Sequence, residues 1–251
     1  MARALDYLRE RRAFECRLTP DRALGSLDEA EAFLLDRGLL TRTADCALPS
    51  LFEACHEEPY APASPGFGQW PRTKFPWFGE LGARGYLVLG VHRGKSLLVT
   101  AEVAALLDPV CRAELERLGD DALLRHLAEA GPSELEDLQL ELGLKPKELK
   151  SLRSPLERCG AVVSRSIVYQ EPHRHTSLLS RWDQLVPESG EGGLGDAVVA
   201  GVRAAVVAPE DELRRWFSWA LPAELVDGLV AEGRLARPEP GWVATAETAD
   251  G

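Results

Sequence analysis

One stretch, from Ser133 to Asp183, constrains the fold more than any other part of the chain. Ser133 and Glu136 have the spacing of a capping box, in which two side chains satisfy backbone N–H groups at a helix start. Pro146 suits the first turn of a second helix, because proline lacks the N–H that would be unpaired there. The apolar positions of this second helix recur every three or four residues, which predicts one buried stripe: Leu149, Leu152, Leu156 and Cys159.

A β-hairpin is predicted directly after these two helices. The first strand is indicated by four β-branched residues: Val162, Val163, Ile167 and Val168. A polar turn from Glu171 to His175 separates it from a return strand that begins at Leu178. Two helices joined by a turn and followed by a hairpin predict a winged helix, the form of helix-turn-helix that carries a β-hairpin wing.

Cations dominate this stretch, although the whole chain has 29 lysines and arginines against 40 acidic residues and a formal charge of −11. Neutralising phosphates is the main source of DNA affinity. The candidate DNA contacts in this stretch are Lys145, Lys147, Lys150, Arg153, Arg158, Arg165 and Arg174. Lys147, Lys150 and Arg158 fall away from the leucine stripe, on the face that a recognition helix turns to the major groove. The alternative is a solvated helix face that is basic by chance. Pro155 is expected to kink this helix, because it removes a backbone hydrogen bond.

A loop rich in proline, glycine and aromatic residues occupies residues 59–85 of the N-terminal region. Its composition excludes a regular helix or a central strand and predicts an ordered loop. Trp70 or Trp77, beside Arg72 and Lys74, would stack on a nucleobase under one interpretation. Under the other, these aromatic side chains form the core of an irregular segment.

The predicted fold class is α+β, with tandem winged helices after a small N-terminal α/β-hairpin region. The predicted segments are an N-terminal helical region with the aromatic loop and a hairpin, a basic winged helix, a linker and an acidic winged helix, at residues 1–112, 113–186, 187–195 and 196–251. The third helix of the last segment carries Glu224, Asp227 and Glu232, which would repel phosphate. We therefore expect this segment to pack on the first winged helix or on a second copy of the chain, rather than to read a groove.

Several short motifs together suggest a family. They are DRGLL at 36–40, LPSLFEA at 48–54, the paired Trp70 and Trp77, ELGARG at 80–85, LLVTAEV at 97–103 and SRWD at 180–183. With two winged-helix patterns, these motifs resemble the AlkZ/YcaQ-like family of winged-helix DNA glycosylases. The resemblance implies a fold of tandem winged helices and an association with DNA. The family's catalytic signature, an early glutamine–aliphatic–glutamine or aspartate motif, is missing here, because no glutamine precedes Gln69. The nearest string, Gln139-Leu140-Glu141, lies in a predicted helix, where residues two apart point to different faces.

Three functional hypotheses follow. The leading one is binding of double-stranded DNA without catalysis, in repair or transcription. The second is a DNA glycosylase acting on alkylated, bulky or crosslinked bases; its catalytic residues are unknown, and Asp45, Glu53 or Asp183 would have to replace the missing glutamine. The third is a transcriptional regulator or a protein-interaction module, with a protein partner or a homodimer formed through the acidic C-terminal winged helix.

Composition limits the compartment and the chemistry. Five scattered cysteines without C-x-x-C spacing predict reduced thiols of a cytosolic protein. No apolar run reaches the ~18 residues of a membrane span, and the charged N-terminus is not typical of a signal peptide. His173 and His175 are interpreted as surface histidines at the wing tip, so neither a metal nor a cofactor is predicted. The expected location is the cytoplasm, on the nucleoid if the protein binds DNA.

Overall fold

The computed structural model of the protein describes residues 2–171, 174–187 and 189–250. Its α-helices are α1 (Ala2–Glu15), α2 (Leu27–Arg37), α3 (Leu51–Ala54), α4 (Trp77–Ala83), α5 (Ala101–Arg117), α6 (Ala122–Ala130), α7 (Leu135–Glu141), α8 (Pro146–Arg158), α9 (Trp182–Leu185), α10 (Leu194–Ala205), α11 (Leu225–Ala231) and α12 (Ala246–Asp250). Its strands are β1 (Leu39–Thr41), β2 (Leu87–His92), β3 (Lys95–Val99), β4 (Ser133–Glu134), β5 (Val162–Tyr169), β6 (Arg174–Arg181), β7 (Val207–Pro209), β8 (Leu235–Ala236) and β9 (Trp242–Thr245). Short 3₁₀ turns lie at Pro20–Arg22, Gly66–Gln69 and Glu210–Arg215. The predicted α+β class is confirmed.

The strands form three small antiparallel sheets with one shared topology. In each sheet the last strand of the chain segment lies between the other two, giving the orders β1-β3-β2, β4-β6-β5 and β7-β9-β8. In each segment a helix precedes the first strand, and further helical turns separate it from the hairpin. We call these segments the first unit (residues 27–99), the second unit (122–181) and the third unit (194–245).

The first unit contains more sheet than the sequence predicts. The sequence indicates a hairpin of β2 and β3, but β1 also pairs with β3, placing Leu39 opposite Val99. The pattern of β1 is hard to read because all three of its residues are buried, so apolar and polar side chains do not alternate. The prediction that residues 59–85 contain no regular helix is wrong, because α4 occupies Trp77–Ala83 at the end of this range. The rest of the loop, residues 59–76, separates α3 from α4, which hides the order of elements that this unit shares with the other two.

The second unit contains the predicted helices and hairpin, but the predicted capping box is wrong. Ser133 belongs to β4, pairs with Leu179 and donates its hydroxyl to the Gly131 carbonyl oxygen at 2.9 Å. The helix therefore starts at Leu135, with Glu134 as the preceding residue. The helix α8 begins at Pro146 as predicted and extends past its internal proline to Arg158.

The largest core cluster contains buried residues from all three units and from α5, and two smaller clusters lie in the first unit and beneath α1. Asp108 on α5 accepts hydrogen bonds from Trp182 Nε1 at 2.6 Å and from the Gly190 backbone N–H at 2.9 Å. The segment predicted as a linker is therefore held against α5, and the boundary predicted at residue 112 lies within this helix. At the other end of the molecule, Leu5 and Leu8 of α1 pack on the sheet of the third unit. Among the described residues, no helix combines the length and the apolar character that crossing a bilayer requires.

Candidate nucleic-acid interface

The start of α8 carries a row of exposed lysines. Leu149 is buried, which fixes the rotation of the helix and leaves Lys145, Lys147 and Lys150 in solvent. The start of the helix is held by Glu148, whose Oε2 accepts from the Lys145 backbone N–H at 2.7 Å. This contact uses the backbone of the lysine and leaves its ammonium group free.

The second half of α8 faces the β2–β3 hairpin of the first unit. A cavity of about 360 Å³ lies between them, and Lys150, Arg153 and Arg158 form part of its lining. The approach is close at the hairpin turn, where a Cβ added to Gly94 would lie 2.8 Å from Arg158 Nε. The one carboxylate among the described lining residues is that of Glu157, which accepts a hydrogen bond from Ser164. The cations of α8 thus divide into a free N-terminal group and a group that lines the joint between two units.

A second cavity, of about 390 Å³, adjoins the first. It lies between α4 and the β2–β3 hairpin on one side and the β5–β6 hairpin on the other. Val88, Ser96 and Ser164 line both cavities, so together they form one groove between the first and second units. Arg165 lines the second cavity from β5.

The side chains of six predicted DNA contacts have no ion pair or hydrogen bond within the described part of the chain. These six are Lys145, Lys147, Lys150, Arg153, Arg158 and Arg165. By contrast, arginines elsewhere are neutralised by neighbours, for example Arg84 by Asp28 at 2.9 Å and Arg237 by Glu210 at 2.7 Å. A protein with an excess of carboxylates leaves these particular cations unpaired, so they are available to an external anion.

Arg174, the seventh predicted DNA contact of the basic stretch, differs from these six because its side chain forms ion pairs within the protein. Its guanidinium pairs with Glu134, where Nη2 and Oε2 are 2.8 Å apart, and also with Glu136. It lies over the Tyr169 ring at 4.8 Å from the centroid. These contacts fold the side chain back onto its own unit, whereas a DNA contact would require it to reach outward to a phosphate.

The aromatic loop is ordered. Three of its four candidate nucleic-acid contacts, Trp70, Lys74 and Trp77, pack or form hydrogen bonds within the protein. Trp70 is half-buried, with its ring centroid 4.7 Å from that of Phe67. Lys74 donates to the backbone carbonyl of Leu24 at 2.6 Å and lies 5.4 Å from the half-buried Trp77 ring. These contacts match the interpretation in which the aromatic side chains form a local core.

Arg72 differs from the other three candidates in this loop. It is exposed, and its backbone N–H donates to Glu58 O at 3.0 Å. The guanidinium of Arg72 has no ion pair within the described residues.

One group of potential metal ligands includes His92, the last residue of β2. Asp45, Cys46 and His92 each place a donor atom within 4.8 Å of the others. Both ring nitrogens of the buried His92 already face acceptors, Trp216 O at 2.5 Å and Asp45 Oδ1 at 3.1 Å. Burial acts to raise the pKa of Asp45, but hydrogen bonds from Lys95 and His92 outweigh it and lower the pKa below its ordinary value. This arrangement is a hydrogen-bonded joint between the first and third units, in which neither ring nitrogen of His92 is free to bind a metal.

The carboxylates considered for a glycosylase do not converge. Glu53 is exposed on α3, and Asp183 is paired with Arg181, whose Nη2 lies 2.7 Å from Oδ2. In the string at 139–141, Leu140 is 82% exposed and Glu141 pairs with His126 at 2.8 Å. His173 lies outside the described residues, so the two-histidine pattern at the turn has no structural description.

Arg42 is a candidate residue that the sequence did not indicate. It follows β1, is half-buried and lines the second cavity beside Ser96, to which it donates from Nη2 at 2.9 Å. Nothing in the local sequence sets it apart from the other arginines, because its distinguishing feature is spatial: within the described part of the chain, no carboxylate forms an ion pair with it. Comparisons of the chain with protein-family models, with curated proteins and with solved structures found no match.

Proposed function

We propose that the protein binds double-stranded DNA through the start of α8, and that its three units are winged helices. The shared strand order of the three sheets supports the second part, because an antiparallel hairpin that follows helices and pairs with an earlier strand is how a winged helix is built. On this proposal the first unit is a winged helix whose second and third helices are separated by the aromatic loop.

The observation that carries DNA binding is the set of unpaired cations on α8 and β5. Although the chain is acidic, no carboxylate of the described residues forms an ion pair with these cations. A cation without an internal partner loses no ion pair when it meets a phosphate, and it releases a condensed counterion from the DNA. These cations therefore favour a polyanionic ligand.

The packing of α8 selects which part of the helix would enter the groove of DNA. Its second half approaches the β2–β3 hairpin through Arg158, whereas its first turns stay open. Recognition helices place their N-terminal residues at the base edges. Lys145, Lys147 and Lys150 are thus the principal contacts of this proposal, and Arg153 and Arg165 are secondary ones.

Fluorescence anisotropy on a labelled duplex at several salt concentrations tests the proposal. Replacing Lys145, Lys147 and Lys150 together by alanine should weaken binding steeply at low salt. The slope of log affinity against log salt should fall by about 0.9 for each phosphate that is no longer neutralised, or roughly three in all. The fold should be unaffected, because none of the three side chains belongs to the core.

A charge-matched control is available in the third unit. Arg203, Arg214 and Arg215 are exposed, and replacing them by alanine changes the net charge by the same amount. This control should retain nearly all of the affinity. The proposal is wrong if wild-type protein shows no salt-dependent binding, or if the control variant loses as much affinity as the α8 variant.

A further inference from the structure

We propose that the 390 Å³ cavity between the first and second units is a binding site for a phosphate group, held by Arg42 and Arg165. Five serines contribute to its lining: Ser96, Ser164, Ser166, Ser177 and Ser180. No carboxylate lines it among the described residues. The proposed ligand is a phosphate group, either free or at a strand end. The site shares Arg165 with the proposed DNA surface, but a response to free phosphate does not require the binding of duplex DNA to α8.

Arg42 is held in place without being neutralised. Its guanidinium lies over the rings of Trp70 and Phe78, at 4.9 Å and 4.6 Å from their centroids. Its backbone carbonyl accepts from Ser50 Oγ at 3.1 Å, which fixes the start of the side chain. Within the described residues, its one side-chain hydrogen bond goes to the neutral Ser96 hydroxyl. The position of the charge is therefore set by packing and by neutral donors and acceptors.

A charge in this state is costly to the free protein. The Nε atom of Arg42 is buried and has no hydrogen-bond partner among the described residues. Burial lowers the pKa of Arg42, and no carboxylate opposes this effect. Taking an ion out of water is unfavourable unless a counter-charge and hydrogen bonds replace the lost solvent. An oxyanion in the cavity would supply both, so binding recovers part of the cost of burying the charge.

The β5–β6 side of the cavity carries polar groups that would complete the phosphate site. Ser166 and Ser177 face each other across the β5–β6 pairing, and Ser164 lies two residues along β5 on the same face. Arg165 lies between these two serines in the chain and contributes to the cavity lining. Serine hydroxyls donate hydrogen bonds to oxyanions, and a guanidinium offers a planar fork that matches a phosphate. The cavity volume lies within the range that encloses small organic ligands, so a nucleotide fits as well as inorganic phosphate does.

Two other cavities differ from this one in the charge of their walls. Arg12 also has a buried Nε without a partner among the described residues, but the cavity that it lines includes Glu212. The cavity beside α8 includes Glu157. A carboxylate at the wall repels an anion and offers the arginine an internal partner. The Arg42 cavity has neither effect, so among these three it is the one suited to an anion.

Thermal unfolding in phosphate, compared with sodium chloride at equal ionic strength, tests the site. Phosphate should raise the Tm of the wild-type protein in proportion to ln(1 + [phosphate]/Kd), and AMP should act in the same way. Arg42→Gln should weaken phosphate affinity about tenfold or more, the loss expected for a charge-assisted hydrogen bond. Arg72→Gln makes the same charge change on an exposed loop and should leave the phosphate effect intact.

A second variant covers the case in which Arg42→Gln fails to fold. Ser166 is exposed on β5, so Ser166→Asp keeps the strand and introduces a carboxylate at the cavity wall. This variant should lose the response to phosphate, because the carboxylate competes with the ligand for Arg42 and Arg165. A response to phosphate that survives in either folded variant would overturn the assignment.

The source of the phosphate is decided by a comparison of two duplexes with 5′-phosphate and 5′-hydroxyl ends. Stabilisation by free phosphate and AMP, with equal binding of both duplexes, assigns a small ligand. No response to the free compounds, together with tighter binding of the 5′-phosphorylated duplex that Arg42→Gln removes, assigns a strand end. The absence of both effects overturns the proposal.

Discussion

Asp108 on α5 binds two later parts of the chain, α9 and the glycine-rich connection that follows it. It is 1% exposed and receives hydrogen bonds from Trp182 Nε1, from the Gly190 backbone and from Arg112 Nε, the last at 2.8 Å. Burial acts to raise the pKa of Asp108, but the hydrogen bonds from Trp182, Arg112 and Gly190 outweigh it, so the pKa lies below its ordinary value. The folded state therefore stabilises the ionised carboxylate.

Asp108→Asn should lower the free energy of unfolding by about 3 kcal/mol at neutral pH, since it removes the buried charge that the half-buried Arg112 guanidinium and two further donors require. Because the folded pKa is depressed, the contribution of Asp108 is complete above the unfolded value of about 3.9 and is lost as pH falls toward the folded value. The difference between variant and wild type, measured by urea unfolding, should shrink below about pH 4. Asp28→Asn, at a side chain that is 85% exposed, is the control and should change stability by less than about 0.5 kcal/mol. A pH-independent difference would contradict this role of the Asp108 charge.

Gly190 is restricted by space rather than by backbone conformation. A Cβ at this position would lie 2.2 Å from the Ala105 carbonyl oxygen on α5, so the two segments must move apart to accept it. Gly190→Ala should cost about 2 kcal/mol in urea unfolding, within the range for overpacking. Gly193→Ala, where the added Cβ would lie 3.8 Å from Asp196 Oδ2, should be nearly neutral. Equal effects of the two substitutions would show that the contact with α5 is unimportant.

At the scale of elements, the sequence predicts helices better than it predicts their ends. The leucine spacing and Pro146 predict α8 correctly, because these signals are local. Leu152, assigned to the buried stripe, is 38% exposed, whereas Leu149 and Leu156 on the same stripe are buried. In α5 the helix continues through Pro109 to Arg117, because the core residues Cys111 and Leu115 hold the later turns in place. The unfavourable helix propensity of Pro109 is therefore outweighed by tertiary packing.

Pro155 offers a test of the same balance in α8. It lies in the interior of the helix and is exposed, so its ring contributes little packing while its missing N–H leaves the Ser151 carbonyl oxygen without the usual helical bond. Pro155→Ala should raise the free energy of unfolding by about 1 kcal/mol, the net of a restored bond and a more flexible unfolded chain. Pro146→Ala, at the first position of the helix, should not be stabilising, because no bond is restored there. A loss of stability in Pro155→Ala would indicate that the altered helix geometry is needed by its neighbours.

At the scale of the whole molecule, the sequence indicates separate segments, whereas the structure joins them through backbone contacts. The Ser218 N–H donates to Val91 O at 2.7 Å, and Trp219 Nε1 donates to Cys159 O at 3.2 Å. The thiol of Cys16 lies 3.4 Å from the Ala204 carbonyl oxygen. No local pattern could reveal these pairs, because the partners are far apart in the chain and the acceptors are main-chain groups that every residue possesses. The role of Arg42 could not be predicted for a related reason, since it depends on which residues surround the guanidinium in space.

The shared core predicts a single cooperative unfolding transition. Tryptophan fluorescence and far-UV circular dichroism should give one common denaturant midpoint, the sign of a two-state process. Trp219→Ala should lower that midpoint for both signals together, with a cost of about 3–5 kcal/mol for removing a buried aromatic side chain. Two separate transitions, with only one of them shifted by the substitution, would show instead that the third unit unfolds on its own.

The close contact of Gly190 and Gly192 with α5 also affects how readily a protease can cleave the chain. A glycine-rich connection is ordinarily the first place at which a protease nicks a folded protein, because exposed polar segments enter the enzyme's cleft readily. Here a Cβ on either glycine would lie less than 3 Å from α5 main-chain atoms, so this part of the connection must leave the helix before a protease can bind it. Cleavage at this point would be limited by the opening equilibrium of the folded molecule, and would slow with every substitution that makes α5 harder to release.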